Sequence, residues 1–213
     1  WLGSSGPVGS VHRSEEMRRS VDESVERSGR VPDRVLGCLL TLELIVRSWD
    51  MTLVAVPIEV EDPREVATAL EQAQRAKSGG ADLVEFRIDG LVEHAEGVTA
   101  ARRLVHESPL PVLLTCRSDA EGGSWRGEET DRVSFLEAVG TAEVAPQFLD
   151  FEEAAWSRSA NIRQKVRLVV NHPQQVRPDR ARLVLSKHDF EGRPQDLTSR
   201  TASMAVDADV VKV

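Results

Sequence analysis

Five short segments of this 213-residue sequence end on groups able to move protons or hold charge. Residues 83–89 alternate strictly, which puts Glu85, Arg87 and Asp89 on one face of a strand and Val84, Phe86 and Ile88 on the other. Thr115 and Arg117 alternate with Leu114 and Cys116 in the same way, and Asp150 and Glu152 with Leu149 and Phe151. Ser186 and His188 flank Lys187, and Lys212 stands between Val211 and Val213. Carboxylates, a histidine and an amine are the groups of acid–base chemistry. Amines are scarce here, with Lys77, Lys165, Lys187 and Lys212 as the only lysines. Lys77 and Lys165 fall at helix ends, and alternation turns Lys187 to the helix-facing side of its strand, so Lys212 is the sole inward lysine. Buried charge is costly unless paired or used, so a ring of Glu, Arg, Arg, Asp, His and Lys on five strand ends points to a site. Each member alone has a plainer reading. Glu85 with Arg87 can be a structural ion pair, Glu152 reads as the cap of the next helix, and Lys212 can be a fraying terminal residue. Their conjunction on one rim outweighs these readings.

The elements that must carry this ring follow from the hydrophobic pattern. From residue 51 onward, short apolar runs alternate with segments of helical period, the mark of parallel α/β architecture. Strands are predicted at 53–58, 83–88, 112–117, 147–152, 183–186 and 208–213, and helices after 65, at 98–107, 129–139, 154–165 and 195–205. Asp62, Pro63 and Glu65 form a capping box with proline at the first helical position, and Gly79 and Gly80 close that helix. Residues 166–170 are apolar enough to be a strand, although 183–186 is the stronger candidate. Six β/α units fit either a doubly wound sheet or an unfinished eight-stranded barrel. The turn after the first strand, 57–63, lacks the glycine that a phosphate-binding open sheet would place there. The barrel also explains the ring, because barrel sites lie at the C-terminal ends of the strands.

Composition narrows the partners. A net charge of −8 and a pI near 5.2 argue against a nucleic-acid footprint and favour a small-molecule partner. Cys38 and Cys116 fit neither a disulfide framework nor metal-ligand spacing, which suits a reducing compartment, with cytoplasm as the default. The apolar stretch 35–46 is too short to span a membrane and is interrupted by Glu43. Residues 1–50 open Gly/Ser-rich and continue Arg- and Glu-rich, the pattern of a leader that is disordered or not native, with one short helix at 38–46 and Met51 as the natural start.

In order, the strings Glu85-x-Arg87-x-Asp89, Thr115-Cys116-Arg117-x-x-x-Glu121-Gly122-Gly123, Asp150-x-Glu152, Ser186-Lys187-His188-Asp189-Phe190 and Val211-Lys212-Val213 resemble the motifs of type I 3-dehydroquinate dehydratase. The resemblance implies a TIM (β/α)8 barrel, incomplete here with about six of eight β/α units in residues 51–213. It implies a lyase of the shikimate pathway that dehydrates 3-dehydroquinate to 3-dehydroshikimate without metal or organic cofactor. Lys212 matches the lysine that forms an imine with the substrate ketone, making it an electron sink. His188 matches the histidine that removes the adjacent proton and protonates the departing hydroxyl. Glu121 matches the acid that orients this histidine. Glu85, Arg87 and Arg117 match the groups that hold the substrate hydroxyls, and the two arginines are expected to repel charge on Lys212. The substrate is the expected partner, with no nucleic acid and no membrane, and a homodimer is allowed.

The family's barrel continues through two further strands that supply an arginine, a serine and a glutamine to the substrate, and the sequence stops before them. Two alternatives therefore stand beside the lyase: a non-catalytic barrel fragment, and part of a larger fused shikimate-pathway enzyme. An open barrel edge exposes unpaired backbone, so residues 51–213 alone are expected to be marginally folded. Deleting residues 1–50 is expected to leave the thermal unfolding midpoint unchanged; a substantial fall would show that this segment docks on the barrel.

Overall fold

Among the described residues every strand joins one parallel sheet whose spatial order is its sequence order. The computed structural model describes residues 52–172 and 181–213; the expectations for the leader, for a helix at 38–46 and for most of the 171–180 connection lie outside them. Among the described residues the strands are β1 (Ala55–Glu59), β2 (Leu83–Arg87), β3 (Val112–Thr115), β4 (Phe148–Glu152), β5 (Arg182–Ser186) and β6 (Val210–Lys212). The helices between them are α1 (Val66–Ser78), α2 (Gly97–Glu107), α3 (Glu129–Gly140), α4 (Glu153–Arg158), α5 (Ala160–Val170) and α6 (Leu197–Asp207). The order β1-β2-β3-β4-β5-β6 has no point where it reverses, which rejects the doubly wound sheet and gives six of the strands of a (β/α)8 barrel.

Local chemistry starts each unit where the pattern expects it. The Asp62 side chain accepts from the Arg64 amide at 2.8 Å while the Glu65 carboxylate accepts from the Asp62 amide, so the capping box closes as read. The helix-facing sides of the strands, Val84, Phe86 and Ile88 on β2 and the turn after it, Leu114 on β3 and Phe151 on β4, are fully buried in one core. That core is completed by helix faces such as Ala100, Ala101, Leu104 and Val105 of α2. A second, smaller cluster of Leu83, Leu113 and Val184, with Phe148 against it, fills the inner side of the sheet. Alternation carries the chain from this apolar floor to Glu85, Thr115, Asp150 and Ser186, one step nearer the C-terminal ends of the same strands.

The strand at 183–186 forms as expected, one alternative to it falls away, and one expectation is corrected. Residues 166–170 are not a strand but the end of α5, because Val166, Val169 and Val170 fall at helical spacing and bury one stripe. Glu152 starts α4 without capping it by its side chain. Its carboxylate turns the other way, accepting from the Ser118 amide at 2.7 Å and from Arg132 Nη1 at 2.9 Å.

Arg132 sits on α3 among apolar neighbours and is itself 1% exposed. Its guanidinium also donates to the Cys116 carbonyl, pairs with Glu129 and lies over the Phe151 ring. Removing one member of a buried pair leaves the other uncompensated. Arg132→Ala should therefore lower the unfolding free energy by roughly 3–5 kcal/mol in a urea titration. A loss no larger than the ~1 kcal/mol of an exposed ion pair would contradict this assignment.

Candidate active site

At the C-terminal ends of the strands the inner face becomes a layer of paired charge. The Lys212 ammonium, at the end of β6, donates to Glu85 on β2 and, at 3.2 Å, to Asp150 Oδ2 on β4. Glu85 Oε1 also accepts from the Thr115 hydroxyl at 2.7 Å, and Asp150 Oδ1 from Ser186 Oγ at 2.6 Å. Side chains from β2, β3, β4, β5 and β6 thus close one hydrogen-bonded layer over the apolar floor. Burial pushes the Asp150 carboxyl above its ordinary value, and the bonds from Lys212 and Ser186 offset only part of that.

The next group stands where β5 runs out. Glu121 lies in a short 3-10 turn, Asp119–Glu121, and its carboxylate is almost wholly buried. Glu121 Oε2 accepts from the His188 amide at 3.0 Å and lies 2.9 Å from His188 Nδ1. A carboxylate at Nδ1 fixes the proton there in the neutral ring and leaves the lone pair on Nε2. That Nε2 is buried and has no hydrogen-bond partner among the described residues. The Lys187 amide donates to the Lys212 carbonyl at 2.9 Å, which ties the His188 segment to the lysine strand.

The turn that carries Glu121 is built by backbone geometry. Gly122 follows it at φ 82°, a left-handed conformation that suits glycine, and a Cβ there would also lie 2.8 Å from the Phe190 ring. A Cβ on Gly123 would meet the Arg117 carbonyl at 2.2 Å. The Ser118 carbonyl accepts from the amides of Glu121 and Gly123, so the turn hangs from Ser118, the residue that Glu152 grips. Asp89, 2% exposed, braces the other side. It accepts from the Arg117 amide at 2.8 Å and the Ser124 amide at 3.2 Å while pairing with Arg87.

The residues expected from the sequence thus fall into three contacts. Lys212 and Glu85 meet directly, Glu121 and His188 form a pair, and Arg87 and the Arg117 amide both donate to Asp89. The arginines have other partners than expected. Arg87 is held by Asp89 and Glu59, and Arg117 donates to the Glu121 carbonyl and lies over Phe190; the charges in contact with the Lys212 amine are carboxylates. Lys187 does not turn to the helices. The strand ends at Ser186, alternation lapses there, and Lys187 Nζ donates to Glu121 Oε1 at 3.2 Å. Asp150, Thr115 and Ser186 received no role from the sequence, although the alternation that singles out Glu85 and Lys212 marks them equally. Among the described residues no three His, Cys, Asp or Glu side chains are grouped to hold a metal ion.

Known proteins carry the same arrangement of strands. The family described as type I 3-dehydroquinase matches residues 54–213. The chain belongs to the type I 3-dehydroquinase family. It is 35% identical over 150 residues to a 3-dehydroquinate dehydratase of Methanosarcina acetivorans, covering 68% of this chain and 58% of that relative. It is 33% identical over 164 residues to a 3-dehydroquinate dehydratase of Methanothermobacter thermautotrophicus, covering 76% of this chain and 65% of that one. The crystal structure of 3-dehydroquinate dehydratase from Geobacillus kaustophilus superposes with a TM-score of 0.61 at 24% identity, over 77% of this chain and 62% of that chain. It shares the fold. The chain spans about three-fifths of the length of these two relatives.

Burial pushes the Glu121 carboxyl up, but the hydrogen bonds from His188 and Lys187 together bring it below its ordinary value of 4.5. A depressed carboxylate contributes stability that is complete above about pH 4.5 and fades as pH falls through the folded-state value. The stability advantage over Glu121→Gln in urea titrations should accordingly be largest near neutrality and shrink steadily below pH 4.5. An advantage that stays constant from neutral to acid pH would remove Glu121 as a charged partner of this pair.

Proposed function

We propose that this chain carries the active site of a cytoplasmic dehydratase that converts 3-dehydroquinate to 3-dehydroshikimate through an imine on Lys212. The observation that carries the reading is the conjunction of an inward lysine between two carboxylates with a histidine whose Nδ1 is held and whose buried Nε2 is unpartnered. In this reading Asp150, raised by burial and 3.2 Å from Nζ, takes the ammonium proton. The neutral amine then adds to the substrate ketone, and water leaves as the imine forms. The imine draws electrons from the neighbouring carbon, so His188 Nε2 can remove its proton and an enamine results. Collapse of the enamine expels the β-hydroxyl, which takes the proton from His188 and departs as water. Hydrolysis of the conjugated imine frees the product and restores Lys212. Glu121 holds the ring in one orientation and stabilises its charged form between the two proton transfers. Glu85, Arg87 and Arg117, on the rim around this path, hold the substrate hydroxyls. Family membership supports the assignment, and the relatives' shared name supplies the substrate.

Steady-state turnover of 3-dehydroquinate by the intact enzyme tests the roles. Lys212→Ala should lose nearly all turnover, since electron sink and covalent anchor vanish together. His188→Ala should lower kcat by roughly 10²- to 10⁴-fold, the scale of a lost general acid–base, with a smaller effect on KM. Undiminished turnover in Lys212→Ala would refute the mechanism.

A further inference from the structure

Glu121 has two carboxylate oxygens, and His188 uses one. Oε2 serves the amide and ring of His188, while Oε1 accepts from Lys187 Nζ at 3.2 Å. We propose that Lys187 is a positioning residue of the Glu121–His188 pair, whose ammonium fixes the rotation of the carboxylate and offsets part of its charge. This rests on reading His188 as the proton carrier.

The physical need follows from the burial of Glu121, whose side chain is 3% exposed. A carboxylate at Nδ1 stabilises the imidazolium, the more so in a poorly solvated place. A cation on the opposite oxygen removes part of the carboxylate's charge and repels a second positive charge on the ring. The Glu121 carboxyl lies below its ordinary value; burial acts first and upward, and the bonds from His188 and Lys187 outweigh it. The other charged groups around this mouth are committed elsewhere. From the β3 side, Arg117 donates to the Glu121 carbonyl and Asp119 pairs with Arg126. From β2, Glu85 is taken by Lys212 and Asp89 by Arg87; from β4, Asp150 is taken by Lys212 and Glu152 by Arg132. From the β5 loop itself, Asp189 accepts from the Glu191 amide. Among the described residues Lys187 is therefore the only lysine or arginine in contact with the Glu121 carboxylate. It is also 26% exposed, so replacing it leaves no unfilled core.

The test is an NMR titration of the histidine rings in ¹⁵N-labelled intact enzyme, with His188→Asn assigning the resonance. It is paired with the pH profile of kcat/KM for 3-dehydroquinate. In Lys187→Met the titration midpoint of the His188 ring should move up by about one pH unit, the order expected from losing one close positive charge, and the acid limb of kcat/KM should move with it. Lys187→Arg should restore both. In a Glu121→Gln background Lys187→Met should move the ring much less, because the bridge between them is gone. A ring titration and an acid limb unmoved in Lys187→Met, or unrestored by arginine, would overturn the proposal. The ring titration requires no turnover. A wild-type enzyme inactive on 3-dehydroquinate would sink the functional reading, while the ring titration would still decide whether Lys187 acts on His188.

Discussion

The inner face of the barrel depends on a single constraint: an ammonium and two carboxylates share a space that water cannot serve well. Lys212 lies between Glu85 and Asp150, and the hydroxyls of Thr115 and Ser186 each donate a further hydrogen bond to those carboxylates. A carboxylate as buried as Asp150 is tolerable only if its partners are present and aligned. Because the partners come from β2, β3, β4, β5 and β6, the charged layer holds the strands in register at the height where chemistry is to occur. The apolar floor of Leu83, Leu113 and Val184 beneath it sets the depth.

A second tier of buried ion pairs holds the loops above this layer. Asp89 joins the end of β2 to the segment after β3, and Glu152, clamped by Arg132, holds Ser118. Glu121 hangs from Ser118 through backbone hydrogen bonds and reaches His188 at the end of β5. The chain of contacts from Arg132 on α3 to the His188 ring therefore passes through groups that each have few alternative partners. The His188 ring, although on a loop, is held by Glu121 both at Nδ1 and through its amide, as proton transfer at a defined atom demands.

Sequence alone reveals the strands well because parallel strands covered by helices announce themselves by length and alternation. Glu85, Arg87 and Lys212 were legible for that reason. Alternation fails where a strand ends, and Lys187 shows the failure: one residue past β5 its side chain swings inward to Glu121. It fails too where apolar residues serve two periods, since Val166, Val169 and Val170 pack as a helix although the run 166–170 also suits a strand. Arg132 was illegible for a different reason. A charged residue at helical spacing reads as solvated, and only the fold brings Glu152 and the Cys116 carbonyl to it. Glu121 lies in a turn with no period, so it was found by its likeness to a family motif and not by pattern.

Lys187 and Lys212 both direct amines into the same strand-end region, so the identity of the reacting lysine decides the mechanism. Borohydride reduction during turnover of 3-dehydroquinate would fix any imine as a stable secondary amine, and peptide mass mapping would locate it among the four lysines of this sequence. A single substrate-derived adduct is expected on Lys212, with Lys187, Lys77 and Lys165 unmodified. An adduct on Lys187, or none while turnover proceeds, would contradict an imine on Lys212.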